Sequence, residues 1–253
     1  MGERDKSLQQ LSDRWDQAGK TDAFWAVLSH PEKRGNRWAQ EEFFQTGVDE
    51  IRDLVEHLKQ IDVAIAMDRA LDFGCGPGRL TQALAGYFRE VDGVDISPSM
   101  IELGERLNKH PGRCHYHLNV ANDLSRFGES SFDLVYSNIT LQHMPRKFAQ
   151  AYIREFLRVL KPQGIAVFQL PGRRRGTRAQ VMGFVPKPVR TAYRKVRKRH
   201  AAEEMNGWPR EQVIAYVGKL GAELVEVLPS HDAGDAWESF RYTWRRRPSG
   251  AVA

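Results

Sequence analysis

Between residues 48 and 61, Ile51, Leu54, Val55, Leu58 and Ile61 recur at helical spacing, which predicts a helix burying one face. Residues 1–66 read as helical throughout, polar outside and rich in large aromatics: Trp15, Phe24, Trp25, Trp38, Phe43 and Phe44. They are expected to form an N-terminal helical cap or lid. From residue 69 the period changes, and short apolar runs alternate with amphipathic ones. The runs 69–73, 91–94, 114–118, 132–137, 165–170, 223–228 and 239–244 predict seven strands. Helices are expected over 80–87, from Pro98 onward, over 148–160 and over 210–220. Pro98 follows Ser97 and takes a favoured first helical position, while Lys161-Pro162-Gln163-Gly164 ends the third of these helices. Strands alternating with helices specify an α/β class, a doubly wound and mostly parallel sheet with helices on both faces. No Pro-, Gly- or Ser-rich linker divides the chain, so residues 67–253 are read as one catalytic domain.

Composition changes this picture in one place. The 253 residues carry a net charge of +6, yet residues 173–200 hold eleven Lys/Arg and no acid, and the remainder has 27 basic against 32 acidic side chains. The basicity is therefore a local feature, read as an insertion at 173–205. Two cysteines, Cys75 and Cys114, give no disulfide framework, and the charged N-terminus lacks the apolar core of a signal peptide. The expectation is a soluble, cytoplasmic protein.

The strongest motif is Leu71-Asp72-Phe73-Gly74-Cys75-Gly76-Pro77-Gly78-Arg79-Leu80. A strand running into Asp-x-Gly-x-Gly-x-Gly puts a tight turn at the carboxyl edge of the sheet, where open α/β folds bind ligands. Glycines let backbone approach a ligand closely, and the N–H groups that open the next helix face it. The third glycine comes one residue early for a dinucleotide fingerprint, and Gly-Lys-Ser/Thr of a P-loop is missing. Twenty-three residues after Asp72, the run Val91-Asp92-Gly93-Val94-Asp95-Ile96-Ser97 ends a strand on an acid, whose carboxylate would accept two hydrogen bonds from a ribose diol.

Over residues 68–170 the sequence resembles class I S-adenosylmethionine-dependent methyltransferases of the type 11 subgroup, with LDFGCGPGRL as motif I. The resemblance implies a Rossmann-like seven-stranded sheet with the last strand antiparallel, and S-adenosylmethionine as cofactor. It assigns Asp72, Gly74, Cys75, Gly76 and Gly78 to the methionine part, with the leading acid helping to hold the amino group. It gives Asp95 the ribose and lays Ile96 against the adenine. In similar proteins an acid or amide beyond the third strand binds the adenine amino group, and here either Asn119 or Asp123 would do so. Asn138, after the fourth strand, would line the site through its backbone. The stretch Glu41–Gly47 resembles cap segments that close over the cofactor.

For the chemistry, His143 is the first candidate general base, since an imidazole suits removal of a hydroxyl proton. The alternative is a histidine that only shapes its turn. His231 with Asp232 forms a second pair. Asn/Asp-Pro-Pro-Tyr/Phe and Pro-Cys are both absent, which counts against methylation of nucleic-acid bases. His115 and His117 share a strand face but lack further ligands at metal spacing. In residues 186–200, Val189, Tyr193 and Val196 form a thin apolar stripe on a basic helix. This suits a solvated face, or contact with an anionic membrane surface or lipid-linked substrate. Nucleic-acid binding is the weaker reading. The expected reaction is O-methylation of a small-molecule, sugar or lipid-linked glycan hydroxyl. An RNA methyltransferase and a non-catalytic S-adenosylmethionine-binding protein are the alternatives.

Overall fold

Seven strands pair in the order β3-β2-β1-β4-β5-β7-β6 in the computed structural model, which describes residues 6–175 and 205–248. The strands are β1 (Arg69–Phe73), β2 (Glu90–Asp95), β3 (Cys114–Leu118), β4 (Phe132–Ser137), β5 (Leu160–Arg174), β6 (Glu223–Pro229) and β7 (Trp237–Arg245). β7 alone runs against its neighbours, pairing antiparallel with both β5 and β6. The order reverses at β1, whose two parallel neighbours are β2 and β4, and this is where a doubly wound sheet opens a crevice. The expected Rossmann-like, mostly parallel sheet is what forms.

The described helices are α1 (Lys6–Val27), α2 (Gln40–Gln60), α3 (Arg79–Leu84), α4 (Pro98–Leu107), α5 (Arg146–Val159) and α6 (Arg210–Lys219). Their sequences explain their limits. Ser97 caps α4 by accepting the Met100 N–H at 3.3 Å, ahead of Pro98. α1 kinks at Asp22, whose backbone leaves the helical region. The Asp22 carboxylate accepts N–H groups from Trp25 (3.3 Å), Gly35 (2.7 Å) and Asn36 (2.9 Å). This side chain competes with the helix for backbone donors, and it pins the following loop. At the end of α5, β5 begins at once with Leu160, and residues 161–164 bulge out before Ile165 resumes the ladder opposite Leu134. The Pro-Gln-Gly break read from sequence is thus a bulge inside the strand, not a gap before it.

Two cores cover the two faces. Phe148, Tyr152, Ile153 and Phe156 of α5 pack with Val213 and Val217 of α6 and with Leu8 and Leu11 of α1 on one side. Ile51, Leu54, Val55 and Leu58 of α2 join Leu80 and Leu84 of α3 on the other. Both N-terminal helices therefore share the core of the sheet. The stretch Glu41–Gly47 lies in the first turns of α2, where Phe43 is fully buried and stacked on Phe24. No helix of the described residues is long and apolar enough to cross a membrane. The basic run 186–200 lies outside the described residues.

Candidate functional site

A cleft opens at the carboxyl edge of β1 and β4, walled by the glycine loop, both ends of α1 and the segment after β4. Three glycines shape its floor, each with positive φ: Gly74 (79°), Gly76 (52°) and Gly78 (88°). They serve different ends. A Cβ on Gly74 would lie 2.2 Å from Thr140, and one on Gly78 would lie 2.1 Å from the Tyr116 hydroxyl, so both glycines permit close packing. A Cβ on Gly76 would meet only Val27, at 3.1 Å, and both residues line the cleft. That position keeps the cleft free of a side chain at the glycine turn.

Asp95, at the tip of β2, is half-buried in the cleft wall. Its two oxygens accept the Gly76 N–H at 2.9 Å and the Ser97 N–H at 2.8 Å. Removal from water pushes its carboxyl up, opposed by the N–H groups of Ser97, Gly76 and Ile96. The side chain is thus fixed by backbone, and each oxygen keeps a lone pair for a ligand hydroxyl. Ile96 lines the same wall.

Asp72 is placed differently. It is 1% exposed and outside the cleft lining, on the α3 side of the sheet. Its Oδ2 accepts the Thr81 hydroxyl at 2.7 Å, and Oδ1 is buried without a partner. Burial pushes its carboxyl up to about 7, against the Thr81 hydrogen bond and the Arg79 charge. Cys75 is buried within the turn, also outside the lining, and burial pushes its thiol up. The acid therefore lies behind the loop and not in the cleft.

On the adenine side expected from sequence, Asn119 lines the cleft and donates through Nδ2 to the Asp123 carbonyl at 3.0 Å. Asp123 lies outside the lining, with its carboxylate accepting the Ser125 N–H at 3.1 Å. Of the two alternatives, Asn119 is the one the fold brings to the cleft. Asn138, Ile139, Thr140, His143 and Met144 form the opposite wall. Ile139 has φ of 55°, which a β-branched residue adopts only under constraint. The constraint is visible on both sides of it: Thr140 donates to the Asn138 carbonyl at 2.9 Å, and the Asn138 amide donates to Glu50 of α2 at 2.8 Å.

The two histidine candidates separate. His143 is 6% exposed, lines the cleft and packs edge-on against Trp15 of α1. His231 is exposed in the turn after β6, at the outer edge of the sheet, and is not part of the cleft. Asp232 pairs with the Ser230 hydroxyl. His117 hydrogen-bonds Asp92 at 2.7 Å, and Asp92 is also held by Arg69 at 2.8 Å, so this histidine belongs to a partly buried polar cluster around Asp92. Among the described residues no group of three or more His, Cys, Asp or Glu side chains could hold a metal.

Sequence reading missed Glu50 and Arg79. Arg79 is 3% exposed and pairs with Glu50 at 2.8 Å, and Glu50 also accepts the Tyr136 hydroxyl at 2.7 Å. An acid on the polar side of a helix gives no signal of this kind by itself. The Arg after the third glycine was the available hint, since a buried cation needs a partner.

Residues 70–164 match a family model described as a methyltransferase domain. A 2-methyl-6-phytyl-1,4-hydroquinone methyltransferase of Synechocystis is 29% identical over 184 residues, 72% of this chain and 56% of that protein. A trans-aconitate 2-methyltransferase of Enterobacter is 30% identical, over 53% of this chain and 51% of the relative. The chain thus spans about half the length of these curated relatives. Among solved structures, magnesium protoporphyrin IX methyltransferase of Synechocystis, with bound S-adenosylhomocysteine, superposes with a TM-score of 0.62. It is 15% identical, and the match covers 95% of this chain and 99% of that one. An S-adenosylmethionine-dependent methyltransferase of Leishmania major gives a TM-score of 0.65 at 14% identity, over 96% and 87% of the two chains.

Proposed function

We infer, for a chain whose residues 70–164 are a class I methyltransferase domain, that it transfers a methyl group from S-adenosylmethionine to an oxygen of a small molecule. One observation carries the reading: the Asp95 carboxylate, locked by the Gly76 and Ser97 N–H groups, stands in the cleft beside Gly76, which adds no side chain of its own there. A nucleoside ribose fits this carboxylate, and the backbone over Gly74–Gly78 fits the amino-acid end. Asn119 and Ile96 are the proposed neighbours of the adenine, and Asn138 and Thr140 close the turn over the methionine. Asp72 contributes negative charge beneath the loop rather than direct contact.

When bound, the cofactor supplies a methyl carbon on a positively charged sulfur. The protein's part is alignment: holding the acceptor oxygen opposite the departing sulfur, in a cleft walled by Leu8, Leu11 and Trp15 of α1. Closure by α1 excludes water from the reacting atoms. The relatives named for a phytyl hydroquinone and for trans-aconitate support a small acceptor. Neither name points to the sugar or lipid-linked glycan hydroxyls expected from sequence. Attachment of residues 186–200 to an anionic surface is a proposal from sequence alone, tested by vesicle pelleting of the chain with Arg194, Lys195, Arg197 and Lys198 changed to Glu.

Calorimetry tests the central claim. The wild type should bind S-adenosylhomocysteine, and Asp95→Ala should bind it roughly 100-fold more weakly, the loss of about 2–3 kcal/mol in hydrogen bonds to a charged group. A wild type that binds neither S-adenosylmethionine nor S-adenosylhomocysteine would overturn the reading.

A further inference from the structure

Five described residues other than glycine adopt positive φ, and Ile139 stands apart from the rest. Asn36, Asp62, Ser130 and Gln163 are polar and exposed. Ile139 is β-branched and half-buried, and it lines the cleft between Asn138 and Thr140. A β-branched side chain is among the costliest to hold at its φ of 55°.

The surrounding contacts explain why the chain turns here. Tyr136 is buried in the core beneath α2 and Leu141 in the core beneath α5, so the backbone crosses from one side of the sheet to the other between them. Ser137 anchors the near side by donating to the Phe73 carbonyl at 3.0 Å. On the far side the His143 N–H donates to the Thr140 carbonyl, also at 3.0 Å. These bonds over-determine the turn, which is how strain persists. They do not call for isoleucine. Glycine or asparagine would make the same left-handed turn at less cost. What isoleucine adds is an aliphatic group on the cleft wall that carries His143. Met144 lines the cleft there as well, and so does Trp15, whose ring stands edge-on to His143 at 5.1 Å.

We propose that Ile139 is a specificity-determining residue of the acceptor site, its backbone strain retained to set an aliphatic group beside Met144 and Trp15, where it packs on the ring of an aryl hydroxyl acceptor. The acceptor half rests on the proposed function, which gives the ribose to Asp95 and the adenine to Ile96 and Asn119 across the cleft. An aliphatic branch, a thioether and an indole together suit a flat apolar ring, since both sulfur and indole make favourable contacts with aromatic faces and edges. A polyol has no such face. Its hydroxyls would give up water against this wall and gain nothing in return.

The test begins with urea unfolding of the full chain, without ligand. Ile139→Ala and Ile139→Gly both remove the aliphatic branch, but only glycine relieves a left-handed backbone. Ile139→Gly should therefore unfold at the higher urea concentration. The reverse order, normal for helical or extended backbone, would overturn the strain half. With S-adenosylmethionine present, para-cresol and methylhydroquinone should be methylated and methyl glucoside should not. Ile139→Gly should lower kcat/KM for para-cresol by roughly tenfold or more, mainly through KM, the scale for lost methylenes in an apolar pocket. Ile139→Val should lie between that variant and the wild type, and S-adenosylhomocysteine affinity should stay as in the wild type for both. A matching loss of S-adenosylhomocysteine affinity would assign Ile139 to the cofactor instead. Turnover of the glucoside, or of none of the three acceptors, would overturn the aryl class. Failure of the wild type to bind S-adenosylhomocysteine would instead defeat the proposed function and leave the order of urea midpoints standing.

Discussion

Glu50 and Arg79 form a 2.8 Å ion pair that ties the second N-terminal helix to the helix leaving the glycine loop. Arg79 is nearly enclosed, reaching Thr46 at 3.3 Å as well, and its Nε is buried without a partner. The approach is close because Gly47 faces it: a Cβ there would lie 2.4 Å from the Arg79 carbonyl. The other oxygen of Glu50 holds Tyr136 of β4 and the amide of Asn138. One carboxylate thus fixes α2, the start of α3 and the strained wall of the cleft together.

Removing that carboxylate leaves a buried guanidinium unpaired beside two unfulfilled donors, the Tyr136 hydroxyl and the Asn138 amide. Glu50→Ala should lower stability by about 3 kcal/mol in urea unfolding, the scale for breaking a buried pair. Glu50→Gln, which keeps an acceptor for Tyr136 and Asn138, should cost less than half of that. Because Asn138 is released in the first variant and held in the second, S-adenosylhomocysteine affinity should fall for Glu50→Ala well before it does for Glu50→Gln. Equal stability of wild type and Glu50→Ala would show that the pair does not brace the site.

The glycines make a second contrast. Gly74→Ala drives a Cβ to within 2.2 Å of Thr140, and the soluble folded yield should collapse. Gly76→Ala meets only Val27, so its cost to stability should stay near the left-handed backbone penalty of about 1 kcal/mol. Ligand affinity should nevertheless drop by tenfold or more, since the methyl enters the cleft. Calorimetry beside thermal unfolding separates the two effects. A Gly76→Ala chain that binds as tightly as wild type would place the ligand elsewhere.

The two histidines give a third. With a competent acceptor, His143→Ala should reduce kcat by roughly 10²-fold, the scale for losing a side chain positioned for proton transfer in the cleft. His231→Ala should leave kcat and KM unchanged, because its side chain is exposed at the far edge of the sheet and outside the cleft. A loss on changing His231 would bring the turn after β6 into the site.

Much of this arrangement is legible in the chain itself, and the reasons differ by element. β1 matches its expected span because an apolar run meets three glycines, and α4 because Ser97-Pro98 both caps and starts it. The bulge at 161–164 is hidden because Pro-Gln-Gly marks a break in either a loop or a strand. The kink at Asp22 depends on donors from Gly35 and Asn36, thirteen and fourteen residues away, which periodicity does not encode. Asp95 is readable since it ends a strand. The place of Asp72 behind the loop follows from strand alternation, which the motif by itself conceals. The Glu50–Arg79 pair and the Gln142–Gln169 hydrogen bond are tertiary, joining residues 29 and 27 positions apart on separate elements, and no local pattern announces them.

Asp72 supplies the pH prediction. Its carboxyl is ordinarily near 3.8 and is pushed up to about 7 by burial in the folded chain. Between those values the folded protein keeps a proton that the unfolded chain has released, so stability falls as pH rises through this window. The loss approaches about 4 kcal/mol above pH 7, at about 1.4 kcal/mol per pH unit. Asp72→Asn keeps an acceptor for the Thr81 hydroxyl and removes the titration. The variant should match the wild type near pH 4 and be the more stable protein at pH 8, by urea unfolding at both values. Taking the difference between the two proteins cancels opposite contributions from other carboxylates, such as Asp92, which is held low by His117 and Arg69. A positively charged ligand above the loop would favour the ionised Asp72. S-adenosylmethionine should therefore bind the wild type more tightly as pH rises through 7, while Asp72→Asn shows a flat profile. Parallel profiles would mean that the buried charge does not reach the cleft.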